Sequence, residues 1–283
     1  VHWLTDPFQY DFVVRALIAG SLAAITCALI GTWVVIRGLS FMGDALAHGV
    51  LPGIAVAFLM GFNVTIGAFV SAILMVLGIN VVNRASKLSS DTGIGLLFVG
   101  MLALGVVLIS RTRSFTGDLT SFLFGSVLGA NTSDITLQAV TVAIALVAVV
   151  ILHRMFLALS FNAEKAAALG MRPRLAHIAM LTLVALAIVA SFRTVGTLLV
   201  FGLLVAPPAT AALIVRRVPA MMALACAIGV FSVALGLVLT YHFDTAAGAT
   251  MAGTAVAIFF IVLAGRELAS QVTRRLVPVA AQA

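Results

Sequence analysis

Charge is scarce in this chain. Only 9% of its 283 residues are Asp, Glu, Lys or Arg, against about 25% in a soluble domain. No long stretch is polar enough to fold as a separate soluble domain. Cysteine is nearly absent: Cys27 and Cys226 both lie in apolar runs, form no Cys-x-x-Cys pair and give no disulfide framework. No Gly-x-x-x-x-Gly-Lys-Ser/Thr loop occurs, so the chain does not bind ATP by the P-loop route, and no His-Glu-x-x-His disfavours a zinc protease. No Ser/His/Asp set is recognisable. The first residues, Val1 to Phe8, lack the basic region of a cleavable signal, so the first membrane helix is expected to act as the insertion signal.

What the chain has instead is apolar sequence. Hydrophobic residues make up 63% and the mean hydropathy is +1.24. This describes an all-α integral membrane protein, a polytopic helical bundle with one transmembrane domain over 1–283. A spanning helix takes about 20 mostly apolar residues. Candidate spans are 13–36, 41–60, 64–83, 93–110, 134–152, 175–192, 194–214, 219–241 and 246–264. Very short connections near 36–41 and 192–194 leave room for a kinked or re-entrant segment, so eight to ten spans are allowed.

The net charge of +7 does not point to nucleic acid, because the basic residues stand singly at the ends of apolar runs. With the N-terminus outside and the C-terminus inside, the inner side holds Arg37, Arg84, Lys87, Arg154, Lys165, Arg172, Arg174, Arg216, Arg217, Arg266, Arg274 and Arg275. The outer side holds Arg15, Arg111, Arg113 and Arg193. Twelve against four selects this orientation by the positive-inside rule.

Small residues, including 24 Gly, allow close helix packing in lipid. Gly49, Pro52 and Gly53 interrupt one span, and Pro207 and Pro208 are expected to break another. Broken helices at depth are typical of transport pathways, although a plain proline kink is the simpler account of Pro207. A faint echo relates Ile30-Gly-Thr-Trp-Val-Val to Val195-Gly-Thr-Leu-Leu-Val, at a level that chance also explains.

One polar pair stands out. Asp44 and His48 lie inside the apolar run Phe41–Phe58, four residues apart and so on one helix face. Counting from Arg37 at about 1.5 Å per residue puts Asp44 roughly 10 Å and His48 roughly 16 Å into the membrane. Ionisable groups there are costly and usually line a pathway or bind something. A carboxylate and an imidazole suit a divalent transition metal. The alternative has Asp44 capping a helix after Gly43 and His48 hydrogen-bonded to a neighbour. One Asp and one His are too few for a metal that takes four to six ligands. Two copies about a two-fold axis would supply two of each, which favours a homodimer.

The longest inner connection, 153–174, contains Asn162 as a helix N-cap and Gly170 as a stop. Its short helix, with Glu164 and Lys165, either docks a soluble partner or rests on the membrane surface. His242 and Asp244 are two residues apart, share no helix face, and read as solvated. Asp118 and Asp134 do likewise, while Asp91 and Thr92 read as a helix start.

Four stretches resemble one family. Arg37-Gly-Leu-Ser-Phe-Met-Gly-Asp-Ala-Leu-Ala-His-Gly-Val-Leu-Pro-Gly53 is the specific one. Ser90-Asp-Thr-Gly-Ile-Gly95, Phe122-Leu-Phe-Gly-Ser-Val-Leu-Gly129 and Val195-Gly-Thr through Pro207-Pro-Ala-Thr-Ala211 add order and spacing. Together they resemble the ABC-3 family, the membrane permease subunits of bacterial importers for manganese, zinc or iron. The resemblance implies a fold similar to type II ABC importer permeases and a place in the bacterial plasma membrane. It implies as partners a second copy, two cytoplasmic ATP-binding subunits and an extracytoplasmic metal-binding protein. It assigns Asp44 and His48 to the metal site. It assigns the segment with Phe161, Asn162, Glu164, Lys165 and Gly170 to ATPase coupling, which displaces the surface-resting helix. Pro52, Pro207 and Pro208 become helix breaks in the pathway. Two departures stand: Asn162 where the family often has Asp, and Ala206-Pro207-Pro208 where it has Thr-Pro-Ala.

The expected function is thus transport of a divalent metal, manganese first, then zinc or iron, as cargo rather than resident cofactor, with no bond chemistry in this chain. The rivals are a proton-coupled secondary transporter, a permease for a metal chelate or haem, and a membrane anchor.

Overall fold

The computed structural model describes residues 6–85, 90–110, 125, 127–161, 170 and 172–276. The regular elements among them are all helical. They are α1 (Asp11–Ile36), α2 (Ser40–Gly49), α3 (Leu51–Met60), α4 (Val64–Ala85), α5 (Ser90–Ser110), α6 (Thr132–Phe161), α7 (Pro173–Ile214), α8 (Val218–Phe243) and α9 (Ala247–Leu276), with 3-10 turns at Asp6–Gln9 and Val127–Gly129. The described residues contain nine stretches long and apolar enough to cross a membrane: α2 and α3 count as one and α7 as two.

Helix ends follow local chemistry. α1 closes when the Leu39 N–H donates to the Val34 carbonyl and the Gly38 N–H to the Val35 carbonyl, both at 3.0 Å, with Gly38 left-handed at φ 67°. This double closure satisfies two carbonyls that the helix end would strand. α6 opens on a reciprocal pair: the Asn131 N–H donates to Asp134 Oδ2 and the Asp134 N–H to Asn131 Oδ1. Asp134 is therefore a capping residue rather than merely a solvated one.

α7 is the hub, packed against α1, α2, α4, α6, α8 and α9, while α1 also packs against α6 and α8. One apolar cluster runs through this contact, with Trp33, Met42, Leu46, Met75, Phe156, Leu181 and Leu199 almost wholly buried. Lipid gives no hydrophobic drive for helices to associate, so shape complementarity between small residues matters more. A side chain on Gly31 would overlap the Leu204 carbonyl oxygen, and Gly53 and Gly67 each press on the other's carbonyl. The outer faces of α4, α5 and α6 carry large exposed apolar side chains such as Leu74, Leu96 and Ile151.

Three expectations change. His153–Phe161 is not loop: α6 runs on to Phe161, because Phe156 and Leu159 continue its apolar stripe and are buried on the core. Pro207 and Pro208 do not break their helix, which continues to Ile214; the non-helical residue within α7 is Gly196, at φ 78° and ψ 157°. Pro208 has no N–H for the Leu204 carbonyl, and that oxygen packs instead against Gly31. The break falls at Gly196 because that backbone conformation is essentially restricted to glycine. The echo between Gly31 and Gly196 is not structural, since Gly31 sits mid-helix.

Candidate metal centre

Asp44 and His48 belong to α2, which begins at Ser40 after the turn at Gly38. Asp44 is the fifth helical residue, and the N-cap position is Leu39, without a side-chain cap. The capping explanation of Asp44 therefore fails. His48 Nε2 lies 3.5 Å from Asp44 Oδ1. The neighbour of His48 is thus Asp44 itself.

α2 divides into two faces. Met42, Ala45, Leu46 and Ala47 are buried, and Gly43 is packed under Leu204 and near Phe201 of α7. The Asp44 and His48 side chains remain 30% and 25% exposed. Beside them stands Phe98 of α5, edge-on to the His48 ring at 5.7 Å and to Phe41 at 5.7 Å. Phe41 is itself exposed. The two polar groups therefore stay partly accessible beside apolar side chains.

The chain breaks just after the pair. α2 ends at Gly49 and α3 starts at Leu51, with Pro52 in its first turn. Proline cannot donate to the His48 carbonyl one turn back. The His48 carbonyl accepts from the Val50 N–H instead, and the Gly49 carbonyl accepts from the Ser71 hydroxyl of α4 at 2.8 Å. Close contact of Gly53 with Gly67 then holds α3 against α4. Sequence reading missed Ser71, because a lone serine in an apolar run carries no signal of its partner.

The donor pair fits a metal in spacing and chemistry. Two donors each about 2.0–2.2 Å from one ion lie roughly 3 Å apart, so a small rotamer adjustment would bring both oxygen and nitrogen to it. Among the described residues no group of three or more His, Cys, Asp or Glu could hold a metal. Within one chain the pair is an incomplete ligand set.

Below the pair lies a second contact that sequence reading missed. Arg37 caps α1, and its Nη1 donates to His177 Nδ1 of α7 at 3.0 Å. Burial lowers the Arg37 pKa, although a guanidinium stays charged. Trp33, one turn earlier, stands edge-on to His153 at 5.3 Å and to Phe156 at 5.4 Å, both on α6. Arg37 had served in the sequence only as a boundary marker.

Of the expected coupling residues, Phe161 is the last residue of α6 and Gly170 is left-handed at φ 77°. Asn162, Glu164 and Lys165 lie outside the described residues. The Gly196 break is met by Gly125, from the Phe122–Gly129 stretch: a side chain on Gly125 would overlap the Gly196 backbone nitrogen. Two of the resembling stretches thus touch in space. His242 Nδ1 donates to the Val238 carbonyl at 2.9 Å, one turn back on its own helix.

Residues 9–266 match the model of the ABC 3 transport family. The chain is 40% identical over 259 residues to the manganese transport system membrane protein MntC of Listeria innocua, covering 92% of each. It is 37% identical over 262 residues to the "Probable iron transport system membrane protein" of Haemophilus influenzae, covering 93% of this chain and 96% of that one. A solved structure, PsaBC from Streptococcus pneumoniae in complex with Fab, superposes with a TM-score of 0.81 at 34% identity, covering 92% of this chain and 94% of that chain. Membership rules out a secondary transporter and a bare anchor. Long apolar helices around a polar pair, and matches over nearly the whole length, lead to one statement: this chain belongs to the ABC 3 transport family, as a membrane permease subunit that is not itself an ATPase.

Proposed function

We propose that Asp44 and His48 are half of a metal site in the pathway of a manganese/iron ABC importer, and that a second copy of the chain supplies the other half. The observation that carries this is the part-exposed donor pair, 3.5 Å apart, on a helix whose other face is buried. A carboxylate left against lipid is costly. Set on a two-fold axis, the same pair becomes a four-donor site and leaves the lipid, so one contact solves both problems. Relatives named for manganese and for iron support a hard-to-borderline divalent cation as cargo. Oxygen and nitrogen donors suit Mn2+ and Fe2+, and Zn2+ as well, so geometry and supply set the choice.

The metal is cargo and no resident cofactor belongs to this reading. An extracytoplasmic binding protein delivers it, Asp44 and His48 of both copies hold it, and two cytoplasmic ATPase subunits drive its release inward. The inner side is the one bearing Arg37, Arg172, Arg216 and Arg266, with the N-terminus outside, as the basic-residue balance requires. The ATPases meet the chain between Phe161 and Gly170, with Asn162, Glu164 and Lys165 in that contact. The test is manganese uptake by cells or proteoliposomes carrying the complete importer. Asp44→Ala with His48→Ala removes uptake while the complex still assembles and hydrolyses ATP. Undiminished uptake by that assembled double variant refutes the site.

A further inference from the structure

We propose that Arg37 and His177 are positioning residues that transmit movement of the inner ends of α6 and α7 to the helix bearing Asp44 and His48. This rests on the reading of that pair as the metal site and of the α6–α7 ends as the ATPase-facing part.

Three observations support it. First, both helices that flank the ATPase-facing segment grip the same turn of α1. α6 does so through His153 and Phe156 against Trp33, at 5.3 and 5.4 Å. α7 does so through His177, which accepts a hydrogen bond from Arg37 at 3.0 Å. Trp33 and Arg37 are one turn apart and so lie on one side of α1. Second, the corner from Arg37 to α2 is only Gly38 and Leu39, closed by two 3.0 Å backbone bonds. A displacement of Arg37 therefore passes to α2 with little slack. Third, α7 touches this unit twice, on opposite sides of its own break. His177 lies before Gly196 and holds the corner; Leu204 lies after it and presses on Gly43 in α2. Residues that can absorb a backbone change act as hinges. Bending at Gly196 would shift one contact against the other and tilt α2, and with it both metal donors.

The chemistry of the link is specific. Arginine has no acceptor and stays protonated, so the Nδ1 of His177 must be the acceptor and its proton sits on Nε2. Among the described residues no carboxylate forms an ion pair with Arg37. A charged donor bonded to a neutral acceptor keeps direction without burying a full ion pair, whose desolvation is costly.

The test uses the complete importer, permease with ATPase subunits, in proteoliposomes with Mn2+. His177→Leu removes the acceptor. His177→Asn keeps an acceptor oxygen near the place of Nδ1. Two quantities are read: manganese transported per ATP hydrolysed, and equilibrium Mn2+ binding. His177→Leu and Arg37→Met lower the transport ratio roughly fivefold or more, a coupling of ordinary size, while Mn2+ affinity stays within about twofold. His177→Asn restores the ratio to within about twofold of the starting protein. The proposal is overturned if His177→Leu keeps the ratio, if His177→Asn is as poor as His177→Leu, or if affinity falls together with the ratio. Should the leucine variant fail to assemble, His177→Gln, whose acceptor lies one bond further out, is read in its place and must lose the ratio. Failure of the metal-site reading looks different: Asp44→Ala then leaves Mn2+ binding intact whatever the ratio does.

Discussion

A shared site makes a quantitative prediction about mixed dimers. Asp44 is changed to alanine in one of two co-expressed, differently tagged copies, and the complete importer is purified at equal copy numbers. A four-ligand structural zinc site is worth roughly 10–16 kcal/mol, so each ligand to the more weakly bound Mn2+ carries at most on the order of 3 kcal/mol. Losing one donor then weakens binding by up to about a hundredfold, since every 1.4 kcal/mol is a factor of ten. A mixed dimer that shares one axial site loses that donor for both chains and stops transporting at low Mn2+. Random pairing leaves about a quarter of the dimers wholly unaltered, so manganese uptake falls to about a quarter if the site is shared. It falls only to about half if each chain holds a separate site. Uptake is measured with radioactive manganese at concentrations below saturation, and raising the metal should partly rescue the mixed population. A value near one half, or rescue no greater than in unaltered dimers, refutes the axial site.

Two further outcomes follow from the packing. Ser71→Ala leaves the Gly49 carbonyl buried without its 2.8 Å donor. It should cost about 1–3 kcal/mol, seen as a lower melting temperature in detergent, and the alternative of no change would mean that water replaces the hydroxyl. Gly196→Val meets a backbone conformation at φ 78° and ψ 157° that costs roughly 1–3 kcal/mol for any other residue, and adds crowding against Gly125. Yield of folded protein should drop steeply by size-exclusion chromatography, whereas Pro207→Ala, within continuous helix, should be far milder.

Much of this was legible from one-dimensional pattern. Nine apolar stretches could be bounded to within a few residues at most ends, because burial in lipid requires a continuous run of fixed length. The larger errors came where the helix outlived the apolar run. α6 continues to Phe161 and α9 to Leu276, since a helix stops for want of hydrogen-bond partners or at a residue that cannot continue it, and polar sequence alone is no stop signal. The expected break at Pro207–Pro208 failed for a related reason. A proline deprives a carbonyl of its partner without ending the helix, and the freed Leu204 oxygen finds room because Gly31, 173 positions away, has no side chain.

One-dimensional pattern suffices to show a helical membrane protein, to put Asp44 and His48 on one helix face, and to count two ligands as too few for a metal site. These depend on composition, on the 3.6-residue period and on ligand counting, all local quantities. Which face of α2 is buried, that Ser71 holds the break after His48, and that Arg37 reaches His177 emerge from helix packing. It alone placed the bend of α7 at Gly196, against Gly125. Each of these joins residues far apart in the chain, and no period or motif records which helix will lie against which. The physical reason is that in lipid the choice among helix pairings rests on small differences in packing, and those exist only once the whole bundle is assembled.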